Sequence, residues 1–265
     1  MKPKRIEDIP EVKSLLEKKR QATLLKPQES EGPLPFSASK MGGIPNMNLF
    51  EEWPKCDVCN TPLNFVLQLY KNEYPEFYFP ENVNVFLLFR CPNFFCKEAF
   101  SKHCDLKLFW FYGEVNTETN KEIEKPPLLS EDFEGQMQEC IFRPTKKVDY
   151  QHYLELGEKW EKFEEKYGDN LDVIDEFINA YYPHMGTKIN GFPTWVEHVD
   201  YPVCACGETK DFFFQLSSEE DEGDEESLVE WPPYAAVIGE SCNIYFFVCR
   251  KCGSDSIETR CETFL

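Results

Sequence analysis

Apolar residues recur along this chain in two rhythms, and each rhythm predicts a kind of element. Over residues 6–25, Ile6, Ile9, Val12, Leu15 and Leu16 recur with charged residues between them, which is one stripe of a helix. Pro27 and the Pro/Gly/Ser-rich stretch to Ser39 end it. The expectation is an N-terminal helix packed on the domain; docking of this basic arm to a partner is the alternative. "LNFVLQLY", "VNVFLLFRC" and "CDLKLFWFYGEV" are dense aromatic and β-branched runs bounded by turn formers, and they read as strands. Residues 116–150 are polar with prolines towards both ends, and read as a connection. From Gln151 to Tyr182 the period becomes helical, with Leu156, Trp160, Phe163 and Tyr167 on one face. Gly168 is the expected stop and Asn170 the expected cap of the next helix.

The apolar pattern also repeats. Lys40, Gly43, Pro45, Pro54 and Cys56 recur as Lys188, Gly191, Pro193, Pro202 and Cys204, each 148 positions later. Past the cysteines the offset becomes 147, because the Cys-x-x-Cys of Cys56 and Cys59 has shortened to the Cys-x-Cys of Cys204 and Cys206. Gln68-Leu69 then answers to Gln215-Leu216. This reads as an internal duplication. The expected organisation is an N-terminal helix and linker (1–36), a first repeat (37–115), a connection with helices (116–185) and a second repeat (186–265), the repeats packing as one domain. The expected fold class is α+β, sheet-rich and mainly antiparallel, with a zinc-ribbon-like cysteine cluster in each repeat.

Composition narrows the function classes. A chain of 265 residues with 42% hydrophobic residues can bury a substantial core. No run approaches the ~18 apolar residues that read as a membrane span, and "MKPKRIEDIP" lacks the apolar core of a signal peptide. The expectation is a cytoplasmic protein, in which paired cysteines serve metal rather than disulfides. Net charge is −20; residues 1–26 carry eight Lys/Arg against four Asp/Glu, so the remainder holds −24. Such a surface repels nucleic acid and anionic membranes and favours a basic protein partner, with solubility alone as the plainer reading. Seven acidic residues fall within Glu219–Glu226. They read as a solvated loop between two strands, with a docking site for a basic segment or a weak divalent-cation sink as the alternative, and they lack the ligand spacing of an EF-hand.

Each repeat supplies a second cysteine pair after its Gln-Leu strand: Cys91 and Cys96 in the first, Cys249 and Cys252 in the second. Cysteine pair, strand, turn, aromatic strand and cysteine pair is the order of a zinc ribbon, where two knuckles close a tetrahedral shell on one Zn²⁺. Two structural zinc sites are expected, at Cys56, Cys59, Cys91 and Cys96 and at Cys204, Cys206, Cys249 and Cys252. His103, Cys104 and Cys261 are alternative ligands; Cys140 and Cys242 read as buried thiols. No His-Glu-x-x-His, Gly-x-Ser-x-Gly or phosphate-binding Gly loop occurs, so catalysis has no positive support. Gly43 and Gly191 are expected to supply a backbone conformation closed to other residues, with Pro45 and Pro193 stiffening the exit. Lys40 and Lys188 are expected to pair with acids in the core, or to contact a ligand.

"SKMGGIPNMNLFEEWPKCDVCNTPLNFVLQLY" resembles the opening of the YwqG-like family of bacterial proteins, and "TKINGFPTWVEHVDYPVCACG" is similar to that family's second half. The cysteine-bearing form also resembles the programmed cell death protein 2 family, through its Gly-Gly-x-Pro turn, Cys-x-x-Cys knuckle and Gln-containing strand. The resemblance covers residues 37–112 and 186–261; Asn190 in place of the first turn glycine, Glu197 where Gln is common and the shortened Cys-x-Cys depart from it. It implies a duplicated, sheet-rich α+β fold, and through the eukaryotic relatives a chaperone of a basic ribosomal protein. The functional expectation is a non-catalytic, zinc-stabilised protein that binds a basic client. The alternatives are an enzyme with its pocket between the repeats, faced by the Lys-x-x-Gly-x-Pro turns, and an immunity-type protein that neutralises a toxin.

Overall fold

A computed structural model describes residues 6–93, 96, 106–113, 121–122, 138–218 and 242–263. Among the described residues ten strands form one sheet, and every pairing between them is antiparallel. They are β1 (Lys19–Glu29), β2 (Lys40–Met41), β3 (Asn64–Tyr70), β4 (Val83–Arg90), β5 (Leu106–Tyr112), β6 (Cys140–Tyr150), β7 (Lys188–Asn190), β8 (Asp211–Ser217), β9 (Cys242–Cys249) and β10 (Gly253–Thr263). Their spatial order is β10-β9-β8-β7-β1-β6-β2-β3-β4-β5. The described α-helices are α1 (Pro10–Leu15), α2 (Glu158–Tyr167) and α3 (Leu171–Tyr181).

The centre of the sheet is a long ribbon. β1 and β6 pair along eleven residues, from Lys19↔Tyr150 to Glu29↔Cys140. Each then takes a short strand on its outer side, crosswise: β7 pairs with β1 (Leu24↔Lys188) and β2 with β6 (Lys40↔Ile141). The strand that precedes the first cysteine-bearing stretch therefore borders the second, and the strand that precedes the second borders the first.

Two expectations are corrected here. The helix expected over 6–25 ends at Leu15, and Lys19–Glu29 is a strand. The apolar stripe has no member from Glu17 to Gln21, so a continued helix would have no face to bury there. The connection expected over 116–150 contains β6. Its Pro144 and charged Arg143, Lys146 and Lys147 hide a central strand, because proline cannot donate to the ladder and exposed charge breaks the apolar alternation. Gly168 does follow α2, although with a right-handed φ of −61°, and Asn170 precedes α3 without a side-chain cap bond.

Both faces of the flanking strands are covered, which explains the unbroken apolar runs of β3, β4, β8 and β9. On one face a single core draws on all parts of the sheet, including Leu25, Leu67, Phe86, Phe142, Phe214 and Phe246. On the other face packing splits in two. Phe65, Leu87 and Phe89 pack with Phe50 and Trp53 at one end, and Trp195, Tyr245 and Phe247 pack with Tyr201 at the other. Each such fully buried large side chain contributes on the order of 1.5–3 kcal/mol. A bulge between Phe65 and Leu67 turns Val66 as well as Leu67 into the shared core; one between Phe212 and Phe214 does the same for Phe213 and Phe214. The N-terminal stripe of Ile6, Ile9, Val12 and Leu15 packs on Trp160, Phe163 and Phe177 of α2 and α3. Among the described residues no helix is long and apolar enough to cross a membrane. Glu219–Glu226, His103 and Cys104 lie outside the described residues.

Candidate metal centres and the turns beside them

The chain brings its eight paired cysteines together as two groups of four: Cys56, Cys59, Cys91 and Cys96, and Cys204, Cys206, Cys249 and Cys252, with the sulfurs of each group within 4.8 Å of one another. The first knuckle is closed by Cys56 N–H donating to Thr61 O (2.9 Å) and Asn60 N–H donating to Cys56 O (2.9 Å). Asn60 bends back at φ 58°. The second uses Cys204 N–H to Glu208 O (2.8 Å) and Gly207 N–H to Cys204 O (2.8 Å), and here Gly207 makes the bend at φ 90°. Each knuckle is pinned at its base in the same way, by Leu63 N–H to Pro54 O and by Lys210 N–H to Pro202 O, both 2.9 Å. Shortening Cys-x-x-Cys to Cys-x-Cys thus leaves the turn closed and its sulfurs converging.

A four-thiolate zinc shell, with Zn–S about 2.3 Å, sets its sulfurs about 3.8 Å apart. The sulfurs lie 3.7 Å apart for Cys56–Cys96, 3.5 Å for Cys59–Cys91 and 3.6 Å for Cys206–Cys249. The donor set and its spacing fit a tetrahedral metal ion. Electrostatics agree. The Thr61 hydroxyl, 3.2 Å from Cys59, draws the Cys59 thiol down to about 6, while burial pushes its neighbour Cys91 up. In the second group the Cys206 backbone N–H lowers Cys204 to about 7, and hydrogen bonds with Cys206 and Cys204 raise Cys252 to about 12. Four sulfurs this close cannot all ionise without a cation among them. The groups differ in cover: Cys56, Cys91 and Cys96 are buried and Cys59 half-buried, whereas Cys206 and Cys252 are exposed. Cys261 contacts Cys242 (Sγ–Sγ 3.7 Å), and Cys140 belongs to the shared core.

The Lys-Gly-Pro turns are built alike. Lys40 pairs with Gln68 across β2–β3, and Lys188 with Gln215 across β7–β8. Each glutamine latches the residue after the turn proline: Asn46 N–H donates to Gln68 Oε1 and Thr194 N–H to Gln215 Oε1, both at 3.0 Å. The other end of each amide donates to the preceding loop, at Phe36 O and Ala38 O or at Gly186 O. Gly43 (φ 70°) and Gly191 (φ 81°) have the left-handed backbone expected, and also lack room: a Cβ would meet Glu139 at 2.8 Å or Asp149 at 2.2 Å.

Those same two carboxylates hold the lysines. Lys40 Nζ donates to Glu139 at 2.6 Å. Lys188 Nζ donates to Asp149 Oδ2 at 3.1 Å, to Thr194 Oγ1 at 3.2 Å and to His184 O at 2.5 Å. Asp149 also accepts from His184 N and Phe192 N, both at 2.8 Å. Burial lowers the Lys188 pKa against the pull of Asp149. Both acids lie outside the repeated stretches, and they do not correspond to one another in the ribbon. That is why the repeat itself could not reveal them. Compared with known proteins, the chain matches no family model and no curated protein.

Proposed function

We propose that this chain is a non-catalytic, zinc-stabilised binding protein whose acidic surface holds a basic protein client. The observation that carries the reading is the pair of closed four-cysteine groups at thiolate-shell distances. A soft donor set of four sulfurs favours Zn²⁺ and leaves no open position for a substrate or a water. Bound zinc would supply neutralising charge and fasten each knuckle to the strand that ends beside it; the protein's own contribution is the turn geometry. The net charge of −20 supports a basic client, of which a ribosomal protein is the type the resemblance implies. An enzyme working between the halves would use Lys40 and Lys188, yet both lysines are buried and each ends on a carboxylate.

We further infer that the two halves arose by duplication. The support is local and repeated: matching knuckle turns, bulges in β3 and β8, and the two glutamine latches. Elemental analysis of protein purified without chelator tests the metal reading, with an expected content of two zinc ions per chain. Protein without bound metal and with all thiols free would sink it. For the client, titration with purified basic small-subunit ribosomal proteins should give salt-sensitive binding that neutral and acidic proteins of equal size do not show.

A further inference from the structure

Cys242 and Cys261 are the cysteines of the second half that the four-cysteine groups leave out, and they meet at an Sγ–Sγ distance of 3.7 Å. Cys242 opens β9 and Cys261 lies near the end of β10, on the hairpin whose turn carries Cys249 and Cys252. The register pairs Cys242 with Thr263 and Cys261 with Ile244, so the two cysteines are diagonal neighbours on one face. That face belongs to the shared core, where Cys242, Ile244, Phe246 and Val248 follow one another along β9. The sequence offers Cys261 as an alternative metal ligand. Its partner Ile244, however, is five residues along β9 from Cys249, about 17 Å of strand. Among the described residues, the two groups of three or more candidate ligands include neither Cys242 nor Cys261.

The two thiols differ in access and in support. Cys242 is buried at 2% exposure, whereas Cys261 is exposed. Cys242 is also the fixed partner. Its backbone N–H donates to Ser218 Oγ at 2.5 Å, and its carbonyl accepts from Ser218 N–H at 3.0 Å. A disulfide sets its sulfurs about 2.05 Å apart, so this pair has about 1.7 Å left to close. Diagonal positions start wider apart than directly opposed ones. Cys261 supplies the movement: it stands on β10, the outer strand of the sheet, and its exposed side chain has room to rotate towards Cys242.

We propose that Cys242 and Cys261 are a redox modification site, a dithiol that glutathione disulfide converts to an intramolecular disulfide. Exposure assigns the order of events. The Cys261 thiolate attacks one sulfur of glutathione disulfide, the S–S bond of the oxidant breaks, and one glutathione leaves and takes up a proton from water. The Cys242 thiol then loses its proton and attacks the Cys261 sulfur of the mixed disulfide, expelling the second glutathione. Two protein thiols are oxidised to one disulfide, and one glutathione disulfide is reduced to two glutathiones. Burial shields Cys242 from the oxidant itself, so it serves as the resolving thiol. The bond fastens the open end of the β9–β10 hairpin, as the Cys249–Cys252 turn closes the other, and it does so on the outer strand of the sheet.

The test incubates the full chain, purified without chelator, in glutathione buffers of rising disulfide fraction. Remaining thiols are then alkylated and the cysteines mapped by mass spectrometry, with metal content measured on the same samples. Wild-type protein should lose the mass of two hydrogens, with Cys242 and Cys261 joined in one cross-linked pair of peptides and metal content unchanged. C242S should stop at one glutathione carried on Cys261. C261S should show neither the bond nor an adduct at Cys242, and its exposed position keeps the comparison available if C242S fails to fold. Wild-type protein that keeps both thiols reduced in buffers that oxidise a control dithiol peptide overturns the proposal. So does a mixed disulfide that persists on Cys261 of the wild type, or oxidation that falls on Cys206 and Cys252 instead.

Discussion

Lys40 and Lys188 occupy matching positions, but the cost of stranding them differs. Asp149 and Lys188 are both fully buried in side chain, and Asp149 also terminates two backbone N–H groups. Glu139 keeps 24% of its side chain in solvent, so water reaches the Lys40 pair. Removing one partner of a fully buried pair costs about 3–5 kcal/mol, since the remaining charge is left desolvated. D149A should therefore lower the urea midpoint by the equivalent of that amount, and E139A by clearly less. Equal losses would mean that solvent access does not separate the two pairs. The lysines were legible in the sequence because they repeat at a fixed offset. Their acids were not: Glu139 stands just before β6, Asp149 is the last residue but one of β6, and no offset relates them to the lysines they hold. The glutamines sit between these cases. Gln68 and Gln215 were visible as repeated letters, yet only the folded chain shows each amide tying a turn to the strand beside it.

At the scale of elements, legibility followed burial. Strands covered on both faces, β3, β4, β8 and β9, announce themselves as unbroken apolar runs. β6 does not, because one of its faces carries cations and its middle a proline. The cysteine knuckles were readable from spacing alone, although their unequal cover was not. In the first group Cys59 is the most open cysteine, at intermediate exposure; in the second both Cys206 and Cys252 are exposed. A metal shell open to solvent on two of its sulfurs exchanges with an external chelator more readily than one shielded on three. Challenge of the zinc-loaded protein with a colorimetric chelator should release metal in two phases of equal amplitude. C252S should abolish the fast phase and leave the slow one, whereas C91S should abolish the slow phase. A single phase in the wild-type protein would show that the two shells are equally protected. The same difference in cover implies that C91S, whose position is buried beside Phe89, destabilises the fold more than C252S.

The whole molecule is organised by the crosswise ribbon. A duplicated protein with self-contained halves would let either half fold alone. Here β7 takes its inner neighbour from β1, and β2 takes its inner neighbour from β6, so each half is closed by a strand from the other part of the chain. The shared core enforces the same dependence, since Phe77 of the first half touches Phe213 and Phe214 of the second at centroid distances of 5.5 Å. Cutting the chain before β6 would leave β1 without either neighbour and β2 paired only with β3 in one fragment, and would leave β6 without either neighbour and β7 paired only with β8 in the other. Unpaired edges of this length recruit other chains. Residues 1–122 and 138–265, produced separately, should therefore be aggregation-prone and lack a cooperative transition. Co-expressed, they should recover a soluble one-to-one complex that unfolds in a single step. Independent folding of 138–265, with its own sharp melting transition, would refute the interdependence of the halves. The uncut chain should unfold in one transition for the same reason: neither half can leave the sheet without breaking the ribbon that holds the other.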